Sequence, residues 1–483
     1  MAIGTRNRSK DQIIPATNFK PIPTKPRTQP INQIRPVANR RAMRPKTTSS
    51  TISLKDRLIV CSIARCVSYT AVVYRELSLE RMVHGGRAVA RLDDGQIALV
   101  QGGIPGEVVR ARLEYRSGVF QGEVDEVVLA SQDRIETPLH PGLDYGFITY
   151  PRQLALKREV LIDAFRRTSG EEHQFSPVTP SPNIFEYRHV VQPAVRFGSL
   201  GYRSSNSDKI VTLTEDVTAI PSVRLAWEAI TEQYLPRGLV EVAIRGNEKG
   251  ETLVALIAKK PEREYLDFAH DLISAGILGV SYAPYDLRGR FRSGRSRLAG
   301  ARTIKQRYGN LEITVSANSF AQPNPAAAAL AYSEINKIVS GGHSAWELFS
   351  GGGAIAMQIA DRYETVTAIE IDRASVERGD RDALSMGLDN IVFLFKDARS
   401  LKLPDGIDLL VVDPPRAGLN KKLRQAILTS DVSAIIYLSC DVATWARDVT
   451  HLTQGQYQLD YVRPFDFFPH THHFEILSQL RRS

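Results

Sequence analysis

Cys440 ends a run of apolar residues, Ala434-Ile-Ile-Tyr-Leu438-Ser439, in the C-terminal half of a 483-residue chain. Two carboxylates have a similar setting. Asp413 follows Ile407-Asp-Leu-Leu-Val-Val412 and opens Asp413-Pro-Pro-Arg416, while Glu475 stands just before Ile476-Leu-Ser-Gln-Leu480. A thiol at the ligand-facing end of a buried strand can act as a nucleophile. A carboxylate entering an apolar strand has its pKa raised and suits a proton acceptor. Together they fit the alkylation of a ring carbon that is itself a weak nucleophile, such as carbon 5 of uracil. Thiolate addition to carbon 6 gives an enolate with its charge at carbon 5, which can attack an electrophilic methyl in line. A base then removes the proton left on carbon 5, and elimination frees the thiolate. A free thiol pKa of ~8.5 leaves only a few per cent ionised near neutrality, so a nearby cation or dipole should help. Asp441, the next residue, should instead raise the thiol pKa.

These groups can meet only on a scaffold that ends several strands at one edge. After Ser340 the chain alternates strand and helix signals: Trp346-Glu-Leu-Phe349, Thr365 to Ile371, Asn390 to Phe395, Ile407 to Val412 and Ala434 to Leu438. That order predicts an open parallel sheet, which binds ligands at the carboxyl ends of its strands. The first strand runs into Ser350-Gly-Gly-Gly353, where Gly351 and Gly353 allow backbone to approach a ligand. Glu370 closes the second strand, placed to accept hydrogen bonds from ribose hydroxyls, and Asp397 follows the third, as an adenine acceptor or a helix N-cap. The turn lacks G-x-G-x-x-G, which disfavours a nicotinamide cofactor. Arg416 stands where enzymes that methylate exocyclic amines carry an aromatic, so amino-group methylation is the weaker reading. His470, His472 and His473 invite zinc, but the absence of nearby cysteines argues against a metal.

Upstream, residues 74–131 show short β segments at Gln96–Val100, Glu107–Leu113 and Phe120–Val124 between Gly and Pro turns, the pattern of a small antiparallel barrel. Gln153 to Arg167 predicts an amphipathic helix, which opens a linker and central α/β region over 132–315. In this region Val240–Ile244 and Thr252–Ile257 read as a hairpin. Five arginines, Arg288, Arg290, Arg292, Arg295 and Arg297, read either as a solvated loop or as a phosphate-binding arm. Residues 1–73 form a basic extension expected to be disordered; a transit peptide or a start at Met43 or Met82 both stay open. Its first 60 residues carry 13 Lys or Arg against two acids, a net +11, so the overall +9 leaves −2 for the rest. The basic pI is therefore no evidence for a polyanionic partner. Three cysteines (Cys61, Cys66, Cys440) cannot build a disulfide framework, which points to a reducing, cytoplasmic setting. No stretch of 18 uncharged apolar residues predicts a membrane span.

The motifs together resemble the RNA 5-methyluridine methyltransferase family, with similarity from about residue 74 to the C-terminus. The barrel resembles a TRAM domain through Glu80-Arg-Met-Val-His-Gly-Gly-Arg-Ala-Val-Ala-Arg-Leu92 and Gly103-Ile-Pro-Gly-Glu107. The catalytic half is similar at Ser319-Phe-Ala-Gln322-Pro-Asn, Glu347-Leu-Phe-Ser-Gly-Gly-Gly353, Asp413-Pro-Pro-Arg-Ala-Gly-Leu419, Leu438-Ser-Cys440 and Phe468-Pro-His-Thr-His-His-Phe-Glu475. The resemblance implies an α/β, Rossmann-like class I methyltransferase domain over 316–483 behind a TRAM/OB-like barrel and a central insert. It implies that Gln322, Phe349, Glu370 and Asp413 bind S-adenosylmethionine, that Cys440 is the nucleophile and that Glu475 accepts the proton. It also implies a monomer acting on RNA, 23S rRNA in preference to tRNA. Three departures stand out. The stretch from His140 to Pro151 has no cysteine where many relatives hold an iron–sulfur cluster, so no cluster is expected. The family's usual Ser-Cys-Asn-Pro reads Ser439-Cys-Asp-Val442, and Ala321 replaces a frequent aromatic, loosening the pocket for a flipped base. An RNA cytosine-5 methyltransferase is the rival that shares the thiol chemistry. It typically has a second cysteine where this chain has Asp-Pro-Pro. A non-catalytic RNA-binding protein is the other rival, and retention of both Cys440 and Glu475 counts against it.

Overall fold

The computed structural model describes residues 72–137, 140–204, 209–287 and 294–483. The basic N-terminal segment with Cys61 and Cys66, and the arginines at 288, 290 and 292, lie outside the described residues.

Five strands, β1 (Val72–Val83), β2 (Arg87–Arg91), β3 (Ile97–Gln101), β4 (Val108–Arg116) and β5 (Val119–Leu129), close into a barrel in the order β1-β2-β3-β5-β4. A five-stranded barrel has a narrow interior, and alternate positions fill it with small or branched residues such as Ala88, Ala90, Ala98, Val100 and Ala111. Helix α1 (Tyr150–Ser169) covers the expected 153–167 and extends it at both ends. Two apolar faces run along it. Leu156 and Val160 pack into the barrel core, while Leu161 and Phe165 pack into the core of the C-terminal domain.

The central region contains β6 (Val190–Val191), β7 (Ala194–Arg196), β8 (Ser199–Arg203), β9 (Ile210–Thr212), α2 (Pro221–Thr231), β10 (Leu239–Gly246), β11 (Thr252–Ala258), α3 (Leu266–Ser274), β12 (Gly279–Pro284) and β13 (Ser296–Gly300). Its sheet runs β13-β12-β11-β10-β7-β8-β9, with β6 paired to β10, and the β10–β11 pair is the antiparallel hairpin that the sequence suggests. Successive strand residues face opposite ways. Val242, Ile244, Val254 and Leu256 lie under α2 and α3, whereas Ala243, Leu253, Ala255 and Ile257 join the C-terminal core. The hairpin of β14 (Ile304–Tyr308) and β15 (Leu311–Val315) sends Ile304, Tyr308, Ile313 and Val315 into that same core. Packing therefore joins this hairpin, which precedes the expected boundary at 316, to the C-terminal core.

The C-terminal domain continues through α4 (Pro325–Ile338), β16 (Gly342–Leu348), α5 (Ala354–Ile359), β17 (Tyr363–Glu370), α6 (Arg373–Ser385), β18 (Ile391–Phe395), β19 (Leu409–Val412), α7 (Lys421–Thr429), β20 (Ala434–Ser439), α8 (Val442–Thr453), β21 (Tyr457–Phe465) and β22 (Glu475–Arg482). Its seven strands are ordered β18-β17-β16-β19-β20-β22-β21. Five are parallel, and β22 inserts antiparallel between β20 and β21. Both faces are covered: Ala345, Val366, Val411 and Ile436 pack with α4, α5 and α6, and Leu348, Ile369, Val412 and Tyr437 pack with α1, α7 and α8. Strand order reverses at β16, where a doubly wound sheet opens its ligand crevice. No helix of the described residues is long and apolar enough to cross a membrane.

Candidate active site

Strand directions bring the chemistry-bearing residues to one edge of this sheet. Cys440 follows the end of β20 and Asp413 the end of the neighbouring β19. Because β22 runs antiparallel to β20, with Ile476 opposite Ser439, its first residue, Glu475, emerges at the same edge. Phe349 and Glu370 mark the ends of β16 and β17, further along it.

The three central groups perturb one another. Glu475 is only 2% exposed, and its Oε2 has no hydrogen-bond partner among the described residues. Burial and the nearby Asp413 carboxylate hold its pKa well above the ordinary range, with Arg416 pulling the other way. Burial pushes Asp413 up to about 7, opposed by a 3.5 Å hydrogen bond from Gln322 Nε2. Cys440 is half-buried, and its thiol is pushed up to about 12 by burial, then by Glu475 and Asp413, against the cationic Arg416. Asp441 raises the thiol as the sequence suggests, but it is the smallest of these influences. Its carboxylate is occupied elsewhere: it caps α8 by accepting from the Thr444 N–H at 2.9 Å, and it pairs with His84 Nε2 at 3.3 Å. Burial disfavours its charge, yet the His84 and Thr444 hydrogen bonds hold Asp441 below the usual carboxylate range.

A cleft lined by Gln322, Glu347, Phe349, Gly351, Arg378 and Asp413 adjoins this cluster. Glu370 Oε2 accepts the Gly351 N–H at 3.0 Å, and its Oε1 accepts from Ile371 and Asp372 at 2.7 and 2.8 Å. Glu347 is buried in β16 and accepts the Ala356 N–H at 2.8 Å; burial drives its pKa well above the ordinary value. A Cβ on Gly353 would lie 2.6 Å from the Phe393 ring, and its φ of +78° favours glycine besides. Phe349 holds a φ of +63°, a conformation rare for a side chain this large, and the Ser350 hydroxyl is buried without a hydrogen-bond partner among the described residues. A glycine turn with an unsatisfied hydroxyl, beside a carboxylate that orients its amide, fits a nucleoside-bearing cofactor.

Residues 302–483 match the family model "tRNA (Uracil-5-)-methyltransferase". The chain is similar to a Nitratidesulfovibrio vulgaris protein named an uncharacterized RNA methyltransferase, 29% identical over 451 residues that cover 83% of this chain and 94% of that one. A Thermotoga maritima protein of the same name is 26% identical over 442 residues, covering 83% and 97%. In fold the chain is similar to the Pyrococcus abyssi tRNA (uracil-54, C5)-methyltransferase solved with S-adenosyl-L-homocysteine, with a TM-score of 0.69, 23% identity, and coverage of 84% and 99%. The architecture is that of class I S-adenosylmethionine-dependent methyltransferases behind an OB/TRAM-like barrel, and the chain is an S-adenosylmethionine-dependent RNA methyltransferase.

Not every anticipated residue lines the methyltransferase cleft. Asp397 caps the short turn Ala398–Ser400 and chelates Arg399 at 2.9 Å, which lowers its pKa through that hydrogen bond; it does not line the cleft beside Gly351. Arg295 pairs with Asp372 at 2.8 Å and Arg297 donates to the Gly300 carbonyl at 3.0 Å. Both line a groove of about 900 Å³ with Arg302, Arg373, Arg378 and Arg381. The three C-terminal histidines have separate partners. His470 stacks on Phe185 and meets Gln153, His472 hydrogen-bonds Asp144, and His473, held neutral mainly by burial, faces Arg416 at 3.2 Å. Two contributors escaped sequence reading, His84 and Glu347 as a buried acid. His84 belongs to a barrel turn more than 350 residues from Asp441 in sequence, and no local pattern signals that contact.

Proposed function

We propose that the protein transfers a methyl group to carbon 5 of a uridine in RNA, with Cys440 adding covalently to carbon 6 and Glu475 removing the carbon 5 proton. The observation that carries this reading is the convergence of Cys440, Asp413 and Glu475 at one sheet edge, beside the cleft of Gln322, Phe349 and Gly351. S-adenosylmethionine supplies an electrophilic methyl on a sulfonium. Cys440 reacts as its thiolate, and Arg416 is the cation that favours that form. Addition to carbon 6 moves an electron pair onto carbon 5, which forms the new bond to the methyl as the methyl's bond to the sulfonium sulfur breaks and leaves its electron pair on that sulfur. Glu475 then accepts the carbon 5 proton in its ionised form, and the electron pair released expels the thiolate. Burial raises the basicity of Glu475, which suits that task. Gln322 orients Asp413 through the hydrogen bond between them. Glu370 holds the glycine turn and has carboxylate lone pairs for ribose hydroxyls.

Cys440→Ala assayed with labelled cofactor on RNA is expected to lose methyl transfer by ~1,000-fold or more, and transfer equal to wild type would overturn the assignment. Mass analysis of nucleosides from a deletion strain is expected to show loss of 5-methyluridine; loss of 5-methylcytidine instead would favour the cytosine rival. The groove with six arginines, including Arg295 and Arg297, supplies contacts to RNA phosphates. The preferred substrate is 23S rRNA, supported by the closed barrel in front of the methyltransferase domain. The tRNA reading is supported by the name of the matching family model. Mapping 5-methyluridine in rRNA and tRNA of the deletion strain separates them. We place the reaction in the cytoplasm, carried out by a monomer.

A further inference from the structure

A second cavity, of about 650 Å³, opens between β10 of the central sheet and the 317–323 segment that carries Gln322. Ser319, Phe320 and Ala321 line both this cavity and the cofactor cleft, so only that segment separates them. The volume suits a nucleobase with its ribose.

The cavity contains a buried cation with idle donors. Arg245, on β10, is 2% exposed; its Nη2 donates to the Ser319 carbonyl at 2.7 Å, while Nε and Nη1 have no hydrogen-bond partner among the described residues. A guanidinium with unused N–H groups is costly to bury unless acceptors arrive. The remaining lining says what kind of acceptor. Asp216 and Glu241 both face the cavity, Asp216 accepting from Tyr202 and Thr218 at 2.6 Å and Glu241 from Gln192 at 2.8 Å. Arg188 and Arg203 line the cavity as well, and His140 pairs with Asp216 at 3.3 Å, so the carboxylates are matched by cations and the lining offers donors and acceptors together to a polar, uncharged ring edge. Val191, Ala194 and Ala243 supply apolar walls, and Phe320, 75% exposed, offers a stacking face. Single-stranded RNA bases are recognised in this way, splayed out, stacked on aromatics and hydrogen-bonded at their edges.

We propose that this cavity holds a guanine of the RNA substrate, near the target uridine along the strand, with its O6 and N7 accepting from Arg245. Arginine meets guanine through those two adjacent acceptors, and adenine offers only one of them. The site would make methylation depend on sequence context. It rests on the reading of the protein as an enzyme that acts on RNA, but its test does not need turnover.

Fluorescein-labelled pentaribonucleotides, all uridine or with one central guanosine, adenosine or 7-deazaguanosine, are titrated against the full chain by anisotropy without cofactor. The guanosine pentamer is expected to bind about tenfold tighter than the others. Arg245→Lys and Ala194→Phe should each erase that preference, with S-adenosylmethionine affinity unchanged. Ala194→Phe fills the cavity while keeping the arginine, so it decides the matter even if Arg245→Lys folds poorly. Equal binding of all four pentamers by wild type, or a guanosine preference that survives Ala194→Phe, would overturn the site. A preserved preference in wild type alongside absent methyl transfer would overturn the proposed reaction and leave the guanine site standing.

Discussion

Cys440 sits among carboxylates in the free protein, and that arrangement sets how the enzyme should respond to pH. Its thiol is pushed up to about 12, Asp413 is raised to about 7, and Glu475 lies well above the ordinary carboxylate range. All three are shifted toward their protonated forms, whereas the proposed reaction needs a thiolate and an ionised base. The sign is therefore fixed: kcat/KM should climb with pH above neutrality, toward the value of about 12 to which the thiol is pushed, and a flat or falling profile would contradict the assigned roles. Arg416 opposes the upward shifts on both Cys440 and Glu475. Arg416→Gln should slow alkylation of Cys440 by iodoacetamide near neutrality by several-fold, read by mass spectrometry, and move the pH profile to higher pH. Glu475→Gln should permit addition and methyl transfer but block proton removal, so a covalent protein–RNA complex should accumulate on denaturing gels. If that variant turns over at the wild-type rate, Glu475 is not the base.

Two contacts between elements hold the catalytic edge in place. The β1–β2 turn of the barrel reaches α8, where His84 pairs with the Asp441 cap. Gly86 of that turn is so close to the C-terminal loop that a Cβ would lie 2.7 Å from Asp144 Oδ2 and 3.0 Å from His472 Cβ, at a φ of +71°. His84→Ala should lower kcat/KM by roughly three- to tenfold while leaving cofactor affinity intact, since it frees the carboxylate beside Cys440 without touching the glycine turn. A tenfold loss of S-adenosylmethionine binding would instead mean that the contact maintains the fold. The second contact is the buried ion pair of Lys157 on α1 with Asp466 at 2.6 Å, where Lys157 also donates to the Phe468 carbonyl at 3.1 Å. This pair anchors the loop that leads to Glu475. Lys157→Met leaves an uncompensated carboxylate in the interior and should destabilise by about 3–5 kcal/mol in denaturant unfolding.

At the scale of the whole molecule, the described regions share cores. Leu156 of α1 belongs to the barrel core while Leu161 belongs to the catalytic one, and β10 and β11 divide their residues between the central helices and the methyltransferase core. Leu156→Ala should therefore cost about 2–5 kcal/mol and lower methyl transfer at elevated temperature, although it lies outside the cleft. Much of this organisation was legible in the chain itself. Continuous apolar runs ending in Asp413 and Ser439-Cys440 mark parallel strands buried on both faces, and strand polarity alone puts their carboxyl ends at one edge. The alternation of Gly and Pro turns after Tyr74 likewise announces a small barrel, because local chain reversal is encoded locally. Other features needed the folded molecule. Asp397 could cap or bind, and only the neighbouring Arg399 geometry decided for the cap. The hairpin at 304–315 could belong to either domain until its apolar face found the methyltransferase core. The pairing of His84 with Asp441, the burial that raises the pKa of Glu475 and the idle donors of Arg245 arise between segments distant in sequence. Periodicity and motif spacing follow from short-range backbone geometry, and so can be read from neighbours in the chain. Electrostatic environment and cavity shape are set by which surfaces meet, and that is decided only when the cores close.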